Sequence, residues 1–174
     1  MSALDPRLFR DSCGLFATGV NIVTTHCDGH DHGMTANAFM SISLDPPLIA
    51  VSIAEKARML DKIRTSGRFA VSVLASGMDA VAWHFAGRPN ADLRDLFDSL
   101  EGLPVIRGAL VTFAAAVHDE IIAGDHTIFI GQVGAMARQT ATEPLVFFKG
   151  KFGALEDTRK APAALLQIET ELMW

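Results

Sequence analysis

Between Gly33 and Pro47 the chain reads Gly33-Met34-Thr35-Ala36-Asn37-Ala38-Phe39-Met40-Ser41-Ile42-Ser43-Leu44-Asp45-Pro46-Pro47, and an apolar run, LIAVSI at 48–53, follows at once. Side chains alternate faces along a strand. The first segment therefore offers small and hydroxyl-bearing residues where a sheet ordinarily carries bulky ones. Its neighbour is almost wholly apolar. A planar ligand can lie against backbone bared in this way, with hydroxyls and amides meeting its polar rim.

Three other groups of residues could do chemistry. His26, Cys27, His30 and His32, with Asp28 and Asp31 among them, crowd into seven positions like a metal site. They straddle an Asp28-Gly29 hairpin signal, so His26 and Cys27 point to opposite faces, and no second ligand group stands elsewhere. No metal is expected. Lys56 and Arg58 come directly after the apolar run, in a segment with helical spacing. Cations at a helix start are unfavourable unless an anion is bound there. Either a phosphate sits at this point, or Glu55 and Asp61 balance a solvated helix face. Gly124-Asp125-His126-Thr127 joins two strand-like runs. His126 either reaches a cleft or faces solvent. No GxSxG elbow, Walker loop or GxGxxG fingerprint is present, so no serine nucleophile, NTPase loop or Rossmann site is signalled.

The elements that must position these residues follow from periodicity. Asp5-Pro6 starts a helix that carries Leu8, Phe9, Leu15 and Phe16 and ends at Gly19. Strands are expected at 20–27, 33–43 and 48–54, a helix at 55–65, a strand at 69–74 and a helix from a Ser76 cap to Phe85. Residues 88–104 look like a surface excursion. Long strands at 109–122 and 127–137 flank the Gly124-Asp125 turn, and a bent strand spans 145–152. Six or seven strands in hairpin succession, without strict strand–helix alternation, point to a mainly β protein: an antiparallel barrel with peripheral helices. One domain is expected over 1–157, with an Ala-rich tail at 158–174 that is helical if it docks.

The chain has 174 residues, 49% hydrophobic and 20% charged, with a net charge of −5. That composition folds, and the acidic balance argues against nucleic acid as a partner. Two cysteines make no disulfide framework and read as buried free thiols in a reducing cytoplasm. The N-terminus carries acids and no long apolar stretch, and no run approaches a membrane span. The expected setting is cytoplasmic, with no membrane association.

Taken together, FRDSCGLFATGVNIVTT (9–25), GMTANAFMSISLDPPLIAVSI (33–53), SGRFAVSVL (66–74), HFAG (84–87), AGDHTIFIGQV (123–133) and PLVFFKGKFG (144–153) resemble the short-chain flavin reductases. These are reductase components of two-component flavin monooxygenases, with an FMN-binding split-barrel fold. The resemblance spans residues 8–155 in order. It implies a homodimer of split antiparallel β-barrels with flavin near the subunit interface. It implies hydride transfer from NADH or NADPH to FMN or FAD, and delivery of reduced flavin to a separate flavin-dependent monooxygenase.

In the family's pattern, Gly33, Met34, Thr35, Ala36, Asn37 and Ala38 lie along the isoalloxazine. Ser52, Ile53 and Ala54 contact the ribityl and phosphate region, and Lys56 and Arg58 match the phosphate-binding segment. His126 matches the histidine beside the nicotinamide, the one catalytic assignment. Phe85 and the 149–152 bend with Phe152 fall where the cleft closes. The chain departs from the pattern at Ala38, where a serine is common, and at Met59. It also has no tyrosine near Phe152. The other readings are a flavin carrier for electron transfer or storage without enzymatic activity, and a structural or regulatory dimeric barrel with an empty cleft.

If Lys56 or Arg58 contacts phosphate, its alanine variant will bind FMN less well while keeping most of its affinity for riboflavin. Fluorescence titration with both ligands checks this, and equal losses would exclude a phosphate contact.

Overall fold

The computed structural model describes residues 4–139 and 143–155. Helix α1 (Pro6–Cys13) opens as expected, with the Asp5 carboxylate accepting the N–H groups of Arg7 and Leu8 at 2.8 and 3.4 Å. It closes at Gly14 rather than Gly19, because the Gly14 N–H takes the Arg10 carbonyl as its cap. Leu15 and Phe16 lie beyond the helix and are exposed, and no α1 residue is buried. The apolar spacing that suggested a longer helix has no core beneath it among the described residues.

After β1 (Thr18–Gly19), β2 (Asn21–Cys27) and β3 (His30–Ala36) form the expected hairpin, with Asp28 and Gly29 both left-handed at φ 53° and 74°. The single strand expected at 33–43 is in fact two. β3 stops at Ala36, whose partner is Asn21, the first residue of β2. With no strand left to pair with, the chain breaks at Asn37-Ala38 and resumes as β4 (Phe39–Leu44), which pairs with β5 (Pro47–Ala54).

With β6 (Arg68–Val73), β9 (Val111–Ala123) and β10 (His126–Arg138), these strands build one antiparallel sheet in the order β3-β2-β6-β9-β10-β5-β4. The sheet curls until β3 approaches β5 without pairing, which leaves a split in the barrel. Val23, Val51, Ile53, Phe69, Val71 and Phe129 fill its interior, each at most 1% exposed. Gly131 allows the closest contact there, since a Cβ would stand 2.5 Å from the ring of Phe69.

Helix α2 (Met59–Ser66) seats Met59, Leu60 and Ile63 on this core and ends at left-handed Gly67. It begins four residues later than its spacing suggested. The Glu55 N–H is taken by the carbonyl of Asp125 (3.0 Å) and the Ala57 N–H by that of Ala54 (2.8 Å), so residues 55–58 form a turn. Helix α3 (Asp79–Phe85) also starts late, from Met78 and without a side-chain cap. Ser76 instead donates its backbone N–H to Glu143.

Residues 88–104 are not merely an excursion. They contain β7 (Phe97–Leu100) and the start of β8 (Leu103–Ile106), a hairpin closed by Glu101 and Gly102 at φ 52° and 74°. β8 is buried along its whole length. Its backbone is claimed by side chains of the barrel: the Ser72 hydroxyl oxygen accepts the Ile106 N–H at 2.9 Å, and the Thr24 hydroxyl donates to the Pro104 carbonyl. Acids and a proline concealed this strand in the sequence. The bent strand at 145–152 is likewise a hairpin, β11 (Leu145–Phe148) and β12 (Lys151–Ala154), turned by Lys149 and Gly150 at φ 50° and 77°. With β1 it forms a small sheet, so twelve strands stand among the described residues. The expected tail at 158–174 lies outside the described residues.

Ser72→Ala strands a buried N–H on β8 and should cost about 1–3 kcal/mol. Urea unfolding followed by circular dichroism will read this loss if the hairpin is docked as described.

Candidate functional site

The break at Asn37-Ala38 opens onto two adjoining cavities. One, of about 230 Å³, lies between Thr35, Ala36 and Asn37 on one side and Trp83, Phe147 and Phe152 on the other. The second, of about 710 Å³, is lined by Thr18, Asn21, Asn37 and Ala38 together with Arg10 and Cys13 of α1. Asn37 and Phe147 border both. β3 is an edge strand, so half of its backbone N–H and C=O groups point away from β2. The cleft thus combines bared backbone, an aromatic wall and a few amide and hydroxyl groups. The Thr18 Oγ1 is buried and without a hydrogen-bond partner. A planar heterocycle with a polar rim suits this lining.

The expected residues of 33–38 separate into different roles. Met34 packs toward the barrel core, and Ala36 packs there while also bordering the smaller cavity. The Thr35 hydroxyl donates to the Ala82 carbonyl at 2.6 Å, so it fastens α3 to β3. Asn37 and Ala38 are exposed and line the cleft. Gly33 and Phe85 form a packing pair: a Cβ on Gly33 would stand 2.6 Å from Cε1 of Phe85. The Phe85 ring continues to Phe97 at 5.8 Å and lines neither cavity, whereas Trp83 does.

One hydrogen bond links the cleft to the end of β5: the Ser52 N–H donates to the Ala38 carbonyl at 3.3 Å. Ile53 is fully buried in the core, so only its backbone faces a ligand. Ala54 pairs with His126 across β5 and β10. Lys56 lies in the turn before α2, and Arg58 is the residue immediately ahead of it, making no side-chain cap bond. Both are exposed. The helix start is displaced from the one expected, yet Arg58 still adjoins it.

His126 donates from Nδ1 to Oδ1 of Asp125 at 2.7 Å. That bond holds the Asp125 carboxyl below its ordinary value, and Lys56 lies near enough to lower it further. A depressed carboxyl keeps the contact intact at neutral pH, and the contact is lost only as pH falls through the lowered value. With Nδ1 engaged, Nε2 is left to meet a ligand.

The hairpin histidines make local contacts, His26 with Asp31 (2.6 Å) and His30 with the Asp28 carbonyl (2.8 Å). Among the described residues no cluster of three or more His, Cys, Asp or Glu is placed to hold a metal. Of the two free thiols Cys27 is buried as expected, but Cys13 is exposed because α1 has no core beneath it. Trp83, Thr18, Asn21 and Phe147 were not singled out in the sequence. Thr18 and Asn21 open strands, whereas Trp83 and Phe147 lie within α3 and β11, and no spacing rule isolates the four.

A family model described as a flavin reductase-like domain matches residues 13–156. The chain is 45% identical over 160 residues to an NADH-dependent flavin reductase of a Rhodococcus species, covering 88% of this chain and 90% of that one. It is 37% identical over 145 residues to the reductase component of 4-hydroxyphenylacetate 3-monooxygenase of Thermus thermophilus, covering 81% and 91%. Among solved structures, the flavin reductase PheA2 in its native state superposes with a TM-score of 0.84 at 47% identity, covering 88% of this chain and 99% of that one.

Gly33→Ala should destabilise the chain by about 1–3 kcal/mol, because the Phe85 ring must move. Phe85→Ala should cost less on the Gly33→Ala background than alone, with a coupling of about 1 kcal/mol in a thermal-denaturation double-mutant cycle. Strict additivity would mean the two residues do not meet.

Proposed function

Because the chain belongs to the flavin reductase-like domain family, we propose that it is an NADH-dependent flavin reductase that supplies reduced flavin to a separate monooxygenase. The observation that carries this reading is the cleft at Asn37-Ala38, joined through Ser52 to Ala54 and His126. Its backbone edge faces an aromatic wall, and β5, which meets it at Ser52, pairs with His126 at Ala54.

The bound pair would supply hydride transfer from the nicotinamide to the flavin, which needs no protein nucleophile. The chain's own residues position and polarise. The free edge of β3 and the Asn37 amide would hold the rim of the isoalloxazine. Backbone N–H groups there favour negative charge on the ring system by preorganised dipoles. Small residues at Ala36 and Ala38 leave room for a second ring, so that both rings are held together rather than meeting by diffusion. Ser52, Ala54 and the backbone of Ile53 lead toward Arg58 and Lys56, whose cations suit a phosphate. His126, oriented by Asp125, would donate to or accept from the nicotinamide carboxamide or a cofactor phosphate. Its part is positioning; no proton transfer is required of it.

The protein is further proposed to act as a homodimer in the cytoplasm. Leu8 and Phe9 of α1, and Leu15 and Phe16 just beyond it, are more than half exposed, a cost that a second copy would relieve. Both thiols are free, which accords with a reducing setting. Among the described residues no helix is long and apolar enough to cross a membrane.

Anaerobic NADH oxidation with FMN, FAD and riboflavin, each varied in turn, tests the activity. Absence of both turnover and flavin binding would overturn it, and flavin binding without turnover would leave a carrier. His126→Ala should raise the KM for NADH roughly fivefold, as one lost hydrogen bond would, with a smaller effect on flavin affinity. An unchanged KM would remove His126 from the nicotinamide site.

A further inference from the structure

Resting on that reading, we propose that Trp83 is a flavin-binding residue that, with Phe152 and Phe147, receives the dimethylbenzene end of the isoalloxazine, while its pyrimidine end turns toward Thr18, Asn21 and Asn37.

The argument begins with the polar groups of the two cavities. In the smaller one, Val20, Ala36 and Ala86 add aliphatic surface to the three rings. Three of its side chains can hydrogen-bond: Thr35, Asn37 and, through the single indole N–H donor, Trp83. The Thr35 hydroxyl is already committed to Ala82. Asn37 stands at the junction and serves both cavities. A carboxamide or a pyrimidine dione driven into the aromatic end would lose more hydrogen bonds to water than it could regain. A methylated benzene ring loses none. The larger cavity holds more polar side chains: Arg10, Asn21 and Asn37 line it, and the Thr18 hydroxyl, buried and without a partner among the described residues, is a further group able to meet a polar ligand atom.

The aromatic wall is built to be rigid. The Trp83 and Phe152 rings are 5.0 Å apart at 59°, and Phe152 and Phe147 are 5.6 Å apart at 57°, both within the range of tilted aromatic pairs. The Arg88 guanidinium lies 4.1 Å from the centre of the Trp83 ring, and its backbone N–H donates to the Trp83 carbonyl at 3.0 Å. The indole is therefore held from outside by a cation and from inside by a ring. The opposite wall is formed by Thr35, Ala36 and Asn37. A flat group entering between them would be gripped on both sides, and the polarity of the two cavities selects which end goes in.

The test begins with the unaltered protein. Its dissociation constants for FMN and for the analogue lacking both ring methyls are compared by fluorescence quenching. Two buried methyl groups should make FMN bind roughly tenfold more tightly. Trp83→Leu, which keeps apolar bulk but no ring, should weaken FMN roughly fivefold and lose part of the preference for the methylated flavin, whereas Trp83→Phe should restore affinity to within about twofold of the starting value. Thermal unfolding identifies a variant that fails to fold; the analogue comparison then decides without it.

Equal affinity for FMN and the demethylated analogue would overturn the proposal. So would a folded Leu variant that raises the KM for NADH while leaving FMN binding unmoved, since that would give the wall to the nicotinamide. A protein that oxidises NADH with flavin yet shows either result loses only this inference. One that neither binds nor reduces flavin loses the functional reading beneath it.

Discussion

β2 begins at Asn21, and that limit sets the form of the site. Because Ala36 is the last residue of β3 with a partner across the sheet, Asn37 and Ala38 must leave the ladder with their backbone groups unpaired within it. The Asn37 carbonyl accepts the Phe39 N–H at 3.0 Å, and the Ala38 carbonyl accepts the Ser52 N–H at 3.3 Å, which ties this break to β5 on the far side of the split. Backbone groups outside a ladder are costly in a closed interior and useful at a cleft. The barrel spends its hydrogen-bonding regularity everywhere else and leaves it incomplete where a flat, polar-rimmed ligand would complete it.

The surrounding elements keep that break open. α3 is fastened by Thr35 and by the contact of Phe85 with Gly33, so the helix sits at a set height over β3 and presents Trp83 across the gap. The turn at 55–58 is held to the β9–β10 turn through Glu55 and Asp125, which brings Lys56, Arg58 and His126 to one end of the sheet. Contacts of this kind hold the walls of the cleft in place, and walls so held lower the entropic cost of binding.

Much of the fold was legible along the chain. The Asp28-Gly29 hairpin, the long β9–β10 pair, the Asp5 cap and the Met59–Leu60–Ile63 face each rest on a local rule that the structure obeys. The misreadings have local signals with distant causes. Residues 33–43 look like one strand because nothing in them announces where β2 runs out. Pro104 and the acids around β7 disguise a hairpin whose stability comes from Ser72 and Thr24, far off in sequence. The Glu55–Thr65 segment has helical spacing throughout, yet its first N–H groups are taken by Asp125 and Ala54.

The sequence by itself determined the chemistry on offer: small residues at 33–38, cations at 56 and 58, a histidine after a Gly-Asp turn, and a pattern that an antiparallel barrel fits better than a parallel sheet. These follow from alternation, turn preference and charge, which are properties of neighbouring residues. Only the tertiary structure decided how that chemistry is divided. It assigned Gly33 and Phe85 to packing, gave the Thr35 hydroxyl to α3 and left Ile53 with nothing but its backbone to offer. It also brought Trp83, Thr18 and Asn21 to the cleft. Which side of a strand faces a cavity, and which polar group is already satisfied, depends on contacts between residues far apart in the chain, and these exist only once the sheet has curled.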